Sequence, residues 1–320
     1  MMAERKLWRL IVQRILSALG TLLLVSLAVF GLSLLMGGDA AEAILGQSAT
    51  PEALAGLRIA MHLDQPAPLR YISWLGGLLT GNPGTSLVTG LPVGEMIGPR
   101  LASSMLLAGL TAFVSVPIAL FLGIAAAVKR GSLLDRIVSL VTIGIVSVPE
   151  FLIATLAVML FAVTLHWLPA LSSTRDVDSL WALARVFAMP VISLACVVIA
   201  QMVRMTRAAV IDALDSSYAE AARLKGVSPI RLVLRHALPN AIGAIANAVA
   251  LSLSVLLGGV IVVEIIFNYP GVARLMVDAV ATRDMPLVQT VAMIFSAFYL
   301  VLVTSADIVA ILSNPRLRHR

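Results

Sequence analysis

Four apolar, charge-poor runs are each about twenty residues or longer: 15–36, 101–128, 241–263 and 287–306. A helix of about 20 apolar residues crosses a hydrocarbon core of roughly 30 Å, so each stretch is long enough to be a membrane span. Two further stretches are less clean. Residues 137–171 form a long apolar run interrupted by Pro149 and Glu150, and 186–203 is just long enough. Six spans result, all helical, because the strict alternation that a membrane barrel strand requires is absent. Composition agrees: with 60% hydrophobic and 12% charged residues and a mean hydropathy of +1.00, 320 residues cannot bury their apolar surface in one water-soluble core. The expected fold class is an all-α integral membrane protein.

Basic residues orient the spans. Placing alternate loops on one side gathers Arg5, Lys6, Arg9 and Arg14 with Lys129, Arg130 and Arg136, then Arg204, Arg207, Arg223, Lys225, Arg231 and Arg235, and finally Arg316, Arg318 and Arg320. These are 16 of the 23 Lys and Arg residues, so that side is expected to be cytoplasmic, with both termini inside. The same bias accounts for a pI near 10.1 through contact with anionic lipid, and no nucleic acid is needed to explain it. The first apolar run follows basic residues and precedes small ones, as a cleaved signal would. It exceeds the roughly 7–15 residues of a signal core and is read as a span.

Residues 37–100 form the longest segment outside the spans. Thr50-Pro51-Glu52 reads as a helix start, with Thr50 as cap, Pro51 in the first turn and an acid near the positive end of the dipole. A second short helix is expected over 69–79, ended by the turn cluster Gly81-Asn82-Pro83-Gly84, and 92–100 is expected to lie along the outer interface. Gly131 and Ser132 mark an inner turn, while 172–185, with Arg175, Asp176 and Asp178, make an outer connection. Residues 264–285 are too polar to span and too apolar for a free loop, and read as a short helix against the outer mouth.

The longest charged stretch is YAEAARLKGVSPIRLVLRHALPN, residues 218–240. Strong helix formers fill 208–225, and Gly226 stands where a helix ends in a left-handed residue. Ser228-Pro229 restarts a helix, in which Ile230, Val233, Leu234 and Ala237 share one face while Arg231 and Arg235 occupy another, and Pro239 closes it. From periodicity alone the simpler reading is an interfacial helix in which Glu220 pairs with Arg223; the other is a lever end held in a partner's socket, with Ala219, Ala221 and Ala222 allowing close approach.

The triplet Glu220-Ala221-Ala222, Gly226 after three residues and Leu238-Pro239 after eleven more resemble the EAA loop of ABC importer permeases, with His236 where the general pattern often has isoleucine. Residues 63–87, 235–241 and 256–289 are similar to the dipeptide, oligopeptide and nickel permease family, and the long segment after the first span to that of the first of its two permease subunits. Gly37-Gly38-Asp39-Ala40 departs from the more usual proline-containing version. The resemblance implies a type I ABC importer permease fold with a cytoplasmic coupling helix, in a bacterial inner membrane. Its expected parts are a cytoplasmic N-terminus and first span (1–36), an extracytoplasmic segment (37–100) and a five-helix core (101–320) carrying the EAA loop at about 204–240. It further implies a second homologous permease, two ATPase subunits and an extracytoplasmic binding protein. This chain would bind no cofactor, ATP and magnesium being held by the ATPases. Glu220, Ala221, Ala222, Gly226, Leu238 and Pro239 would be the coupling residues.

Other polar residues are weighed singly. Glu150, after Pro149 inside a long span, either lines the translocation path or caps the restarted helix. Glu264 and Asn268, with Arg283 and Asp284, stand at the outer mouth and read as loop-fixing ion pairs or as substrate ligands of the translocation path. Asp307 is expected to pair with a basic neighbour. Cys196 reads as a small buried hydrophobe, and His62, His166, His236 and His319 have no metal-site spacing. There is no Walker loop, H-E-x-x-H or G-x-S-x-G. The reading is therefore a transport subunit, not an enzyme, of a binding-protein-dependent importer for peptides or related solutes. The rival is an ion-coupled secondary transporter or channel, for which Glu150 is the one strong midplane candidate.

Overall fold

Long apolar runs become helices because only internal hydrogen bonding satisfies the backbone away from water. A computed structural model describes residues 2–35, 50–60, 65–172 and 179–313. The segment 37–40, His62, residues 173–178 with Arg175, Asp176 and Asp178, and the tail carrying Arg316, Arg318, His319 and Arg320 lie outside them.

The helices are α1 (Met2–Leu35), α2 (Pro51–Ala60), α3 (Ala67–Leu79), α4 (Val93–Val128), α5 (Leu133–Val146), α6 (Glu150–Ala157, widened to a π-helix over Val158–Thr164), α7 (Leu180–Leu214), α8 (Ser217–Leu224), α9 (Pro229–Leu232, π over Val233–Ala237), α10 (Leu238–Ile266), α11 (Val272–Ala281) and α12 (Met285–Ser313). No strand occurs among the described residues; an isolated bridge joins Thr85 to Pro92. Five helical stretches are long and apolar enough to cross a membrane, and α5 with α6 makes a sixth, bent by 97°. The break falls at Pro149, whose fixed φ and missing N–H interrupt the helix where the sequence shows the interruption.

Three expectations are corrected. Residues 92–100 do not form a separate interfacial piece, because α4 is continuous from Val93. The helix expected over 208–225 is two: α7 ends at Leu214, and Asp215 and Ser216 separate it from α8. Pro239 does not close a helix. It sits in the first turn of α10, where its missing N–H costs little.

The chain forms two compact units: Met1–Ala18 with Leu106–Tyr269 and Tyr299–Arg320, and Leu19–Met105 with Pro270–Phe298. In the first, α5, α6 and α10 pack against α7. Small residues let helices approach: a Cβ on Gly123 of α4 would stand 2.8 Å from Thr206 of α7, and one on Gly243 of α10 would stand 3.1 Å from the Ala310 backbone of α12. Asp307 pairs with Arg14 at 3.2 Å, as expected of it. In the second, Val93, Ile97, Val272, Leu275, Ala279, Leu287 and Val291 form the core. Asp284 is buried there and binds the 85–91 turn, accepting from the Ser86 hydroxyl and, at 3.1 Å, from Leu87 N–H. Asp284 thus fixes a loop, as expected of it, through hydrogen bonds to that turn.

Candidate functional site

The segment from Ser217 to Leu238 is held from beneath and bare above. Ala219 and Ala222 of α8, with Leu232, Val233 and Ala237 beyond the turn, are buried together with Val210, Ala213 and Leu214 of α7, Ala127 of α4 and Ala241 of α10. Alanines at 219 and 222 bring the α8 backbone close to that core. Glu220, Ala221, Arg223, Leu224 and Lys225 remain exposed.

The turn is a Schellman motif. Gly226 has φ of 78°, its N–H donates to Arg223 C=O at 2.9 Å, and Val227 N–H donates to Ala222 C=O at 3.2 Å, so two end carbonyls of α8 are satisfied. Val227 packs against the core that holds Ala222, completing the apolar contact usual in this motif. Ser228 then takes the extended N-cap conformation and Pro229 opens α9, although the Ser228 side chain makes no capping hydrogen bond.

Beyond Pro229 the expected single apolar face splits in two. Val233 and Ala237 are buried, whereas Ile230 is 74% exposed and Leu234 60% exposed. The π-helix at Val233–Ala237 adds a residue to the turn, so the inner row continues into α10 while the outer row is left bare. Leu224, 84% exposed, adds a third bare apolar side chain to this segment. Leu238 packs on the core and Pro239 is exposed, so the six expected coupling residues lie within one segment, Ala222 and Leu238 toward the core and the others outward.

The base of the segment is clamped. Arg207 of α7 binds Asp135 of α5 bidentately, Nε to Oδ1 at 2.6 Å and Nη2 to Oδ2 at 2.9 Å, and Gly131 N–H donates to the same carboxylate at 2.9 Å. Asp135 is only 4% exposed, so its charge is compensated where water reaches it poorly. Arg130 reaches Asp215 at 2.8 Å between α7 and α8, but both side chains are more than half exposed and the pair contributes little.

The three expected path residues differ in exposure. Glu150 opens α6 and is half-buried, its carboxylate lying against Gly259 of α10, where any Cβ would overlap it. Glu264 is fully buried near the end of α10, while Asn268 is exposed and takes φ of 51° in the turn that follows. Cys196 is half-buried in α7. Among the described residues no three His, Cys, Asp or Glu side chains gather as a metal site. Sequence reasoning missed Gly259, Asp135 with Arg207, and the outward row of Ile230 and Leu234. A Gly-Gly pair in an apolar span is the one signal that pointed toward the first.

Residues 119–319 match the model of the binding-protein-dependent transport system inner membrane component, and residues 7–91 match that of its N-terminal part. The chain belongs to this family. Similar proteins include a probable peptide ABC transporter permease protein of Sinorhizobium fredii, 33% identical over 97% of this chain and 99% of the relative. A Brucella abortus protein provisionally named as a peptide transport system permease is 35% identical over the same shares. The glutathione transport system permease protein of Salmonella choleraesuis is 34% identical over 97% of this chain and 99% of its own length. The permease is accordingly the membrane-spanning subunit of a binding-protein-dependent importer.

Proposed function

We propose that this permease imports short peptides or related small solutes. ATPase subunits would act on it through residues 217–238, and a second homologous permease would complete the pathway. The observation that carries the reading is the segment itself, packed rigidly beneath and presenting Leu224, Ile230 and Leu234 among exposed charges. Apolar side chains bared together in an otherwise charged surface mark a protein contact. The basic-residue bias puts this segment and both termini in the cytoplasm, where the ATPases bind ATP and magnesium. The extracytoplasmic binding protein then delivers cargo on the other side, at the surface formed by residues 65–91 and 270–285.

Coupling follows from rigidity. A partner that binds the segment differently in its ATP-bound and ATP-free forms moves α7 and α10 through the shared core, and only that difference in contact energy can shift the access of the spans. Glu150, at the bend between α5 and α6, lines the pathway in this reading, and Gly259 gives its carboxylate room. Peptide cargo is supported by the names of the Sinorhizobium and Brucella relatives, and the Salmonella relative's name extends the class to glutathione. Gly226→Val tests the assignment: copurification of the ATPase and ATP-driven uptake should both be lost while the variant still inserts and purifies. Uptake at the normal rate would sink it.

A further inference from the structure

The second unit holds a cavity of about 530 Å³ that the coupling segment and the candidate path do not use. It is walled by α1, α3, the turn after α3 and the start of α12. Ser26 Oγ lies 2.8 Å from Tyr71 Oη, and Phe30 stacks on Trp74 with ring centroids 6.1 Å apart, so α3 is fixed against α1 where the wall forms. Gln289 is anchored on the α12 side, its Nε2 donating to Ser33 Oγ at 2.6 Å.

Among the described lining residues Arg70 is the one cation and none is a carboxylate, and Arg70 makes no ion pair with a described residue. The Trp74 indole N–H is buried and donates to no described group, so the indole closes the wall and its N–H does not face the cavity. Asn82 accepts from Gly84 N–H through Oδ1 at 3.3 Å, which leaves its Nδ2 free to donate. Phe30, Met285 and Pro286 supply apolar wall.

We propose that this cavity binds the carboxylate of a small organic acid bearing an apolar side chain, with Arg70 as counter-charge and Asn82 Nδ2 as donor. One guanidinium with a neutral donor balances a monoanion, and the volume is that of sites for small ligands. The inference rests on the proposed function for its cargo, since a short peptide ends in such a carboxylate. It assigns the permease a ligand site of its own, apart from the binding protein.

The test titrates glycyl-leucine and its C-terminal amide by calorimetry against the full-length permease in nanodiscs with its copurifying subunits and no binding protein. The acid should bind and the amide should bind roughly tenfold more weakly or worse. Arg70→Gln should abolish that preference, Arg70→Lys should keep part of it, and Asn82→Ala should weaken the acid severalfold; size-exclusion profiles verify that each variant is folded. Equal binding of acid and amide, or no binding of either, overturns the proposal. So does an Arg70→Gln variant that titrates normally but loses the binding protein, since the cavity would then be a socket for a partner's acidic side chain. Uptake by the same complexes reconstituted in proteoliposomes with the binding protein separates the two readings: binding lost with ATP-driven uptake intact removes only this site, and binding kept with no ATP-driven uptake removes only the importer function.

Discussion

At Gly226 the backbone takes φ of 78°, and the turn between α8 and α9 depends on a residue that tolerates it. A β-branched side chain there costs at least about 1–2 kcal/mol in the left-handed region, and relief means unwinding the Schellman turn that sets the angle between α8 and α9. Gly226→Val should therefore uncouple transport with little loss of membrane insertion, and Gly226→Asn, which tolerates that region better, should keep much of it. Glu150 poses a different problem, because its carboxylate fits only where Gly259 lacks a side chain. Gly259→Ala should displace the carboxylate and reproduce the uptake profile of Glu150→Gln across a panel of charged and neutral peptides. If Glu150→Gln leaves that profile unchanged, Glu150 leaves the pathway.

Among the elements, α7 bears the load, since α5, α6 and α10 all pack on it. Asp135 and Arg207 tie α5 to it, and removing one partner of a buried pair typically costs about 3–5 kcal/mol, with the lower end expected here because the Arg207 side chain is 29% exposed. Arg207→Met or Asp135→Asn should lower the melting temperature of the purified protein more than the double variant does, a comparison read by thermal shift. Much at this scale was legible in the sequence. Charge-free runs announced the spans, Pro149-Glu150 announced the bend, and Gly226 with Ser228-Pro229 announced the turn. The split of the 230–237 face was not legible, because apolar spacing counts 3.6 residues per turn and gives no sign that an extra residue enters at Val233–Ala237. Nor was the contact of Glu150 with Gly259, which depends on how two helices distant in sequence meet.

In the whole molecule, the first unit carries the segment 217–238 proposed to meet the ATPases, and the second carries the cavity lined by Arg70 and Trp74. Asp284 secures the 85–91 turn within the latter, so Asp284→Asn, which replaces one acceptor by a donor facing Ser86 or Leu87, should speed proteolytic cleavage in that turn and leave ATPase copurification intact. The account makes transport a property of the assembly. The most direct measurement is uptake of a radiolabelled peptide into proteoliposomes holding this permease, with its partner subunits and binding protein supplied or withheld. Uptake should require ATP and every partner, and should vanish with Gly226→Val; full uptake by this chain alone under a proton gradient would contradict it.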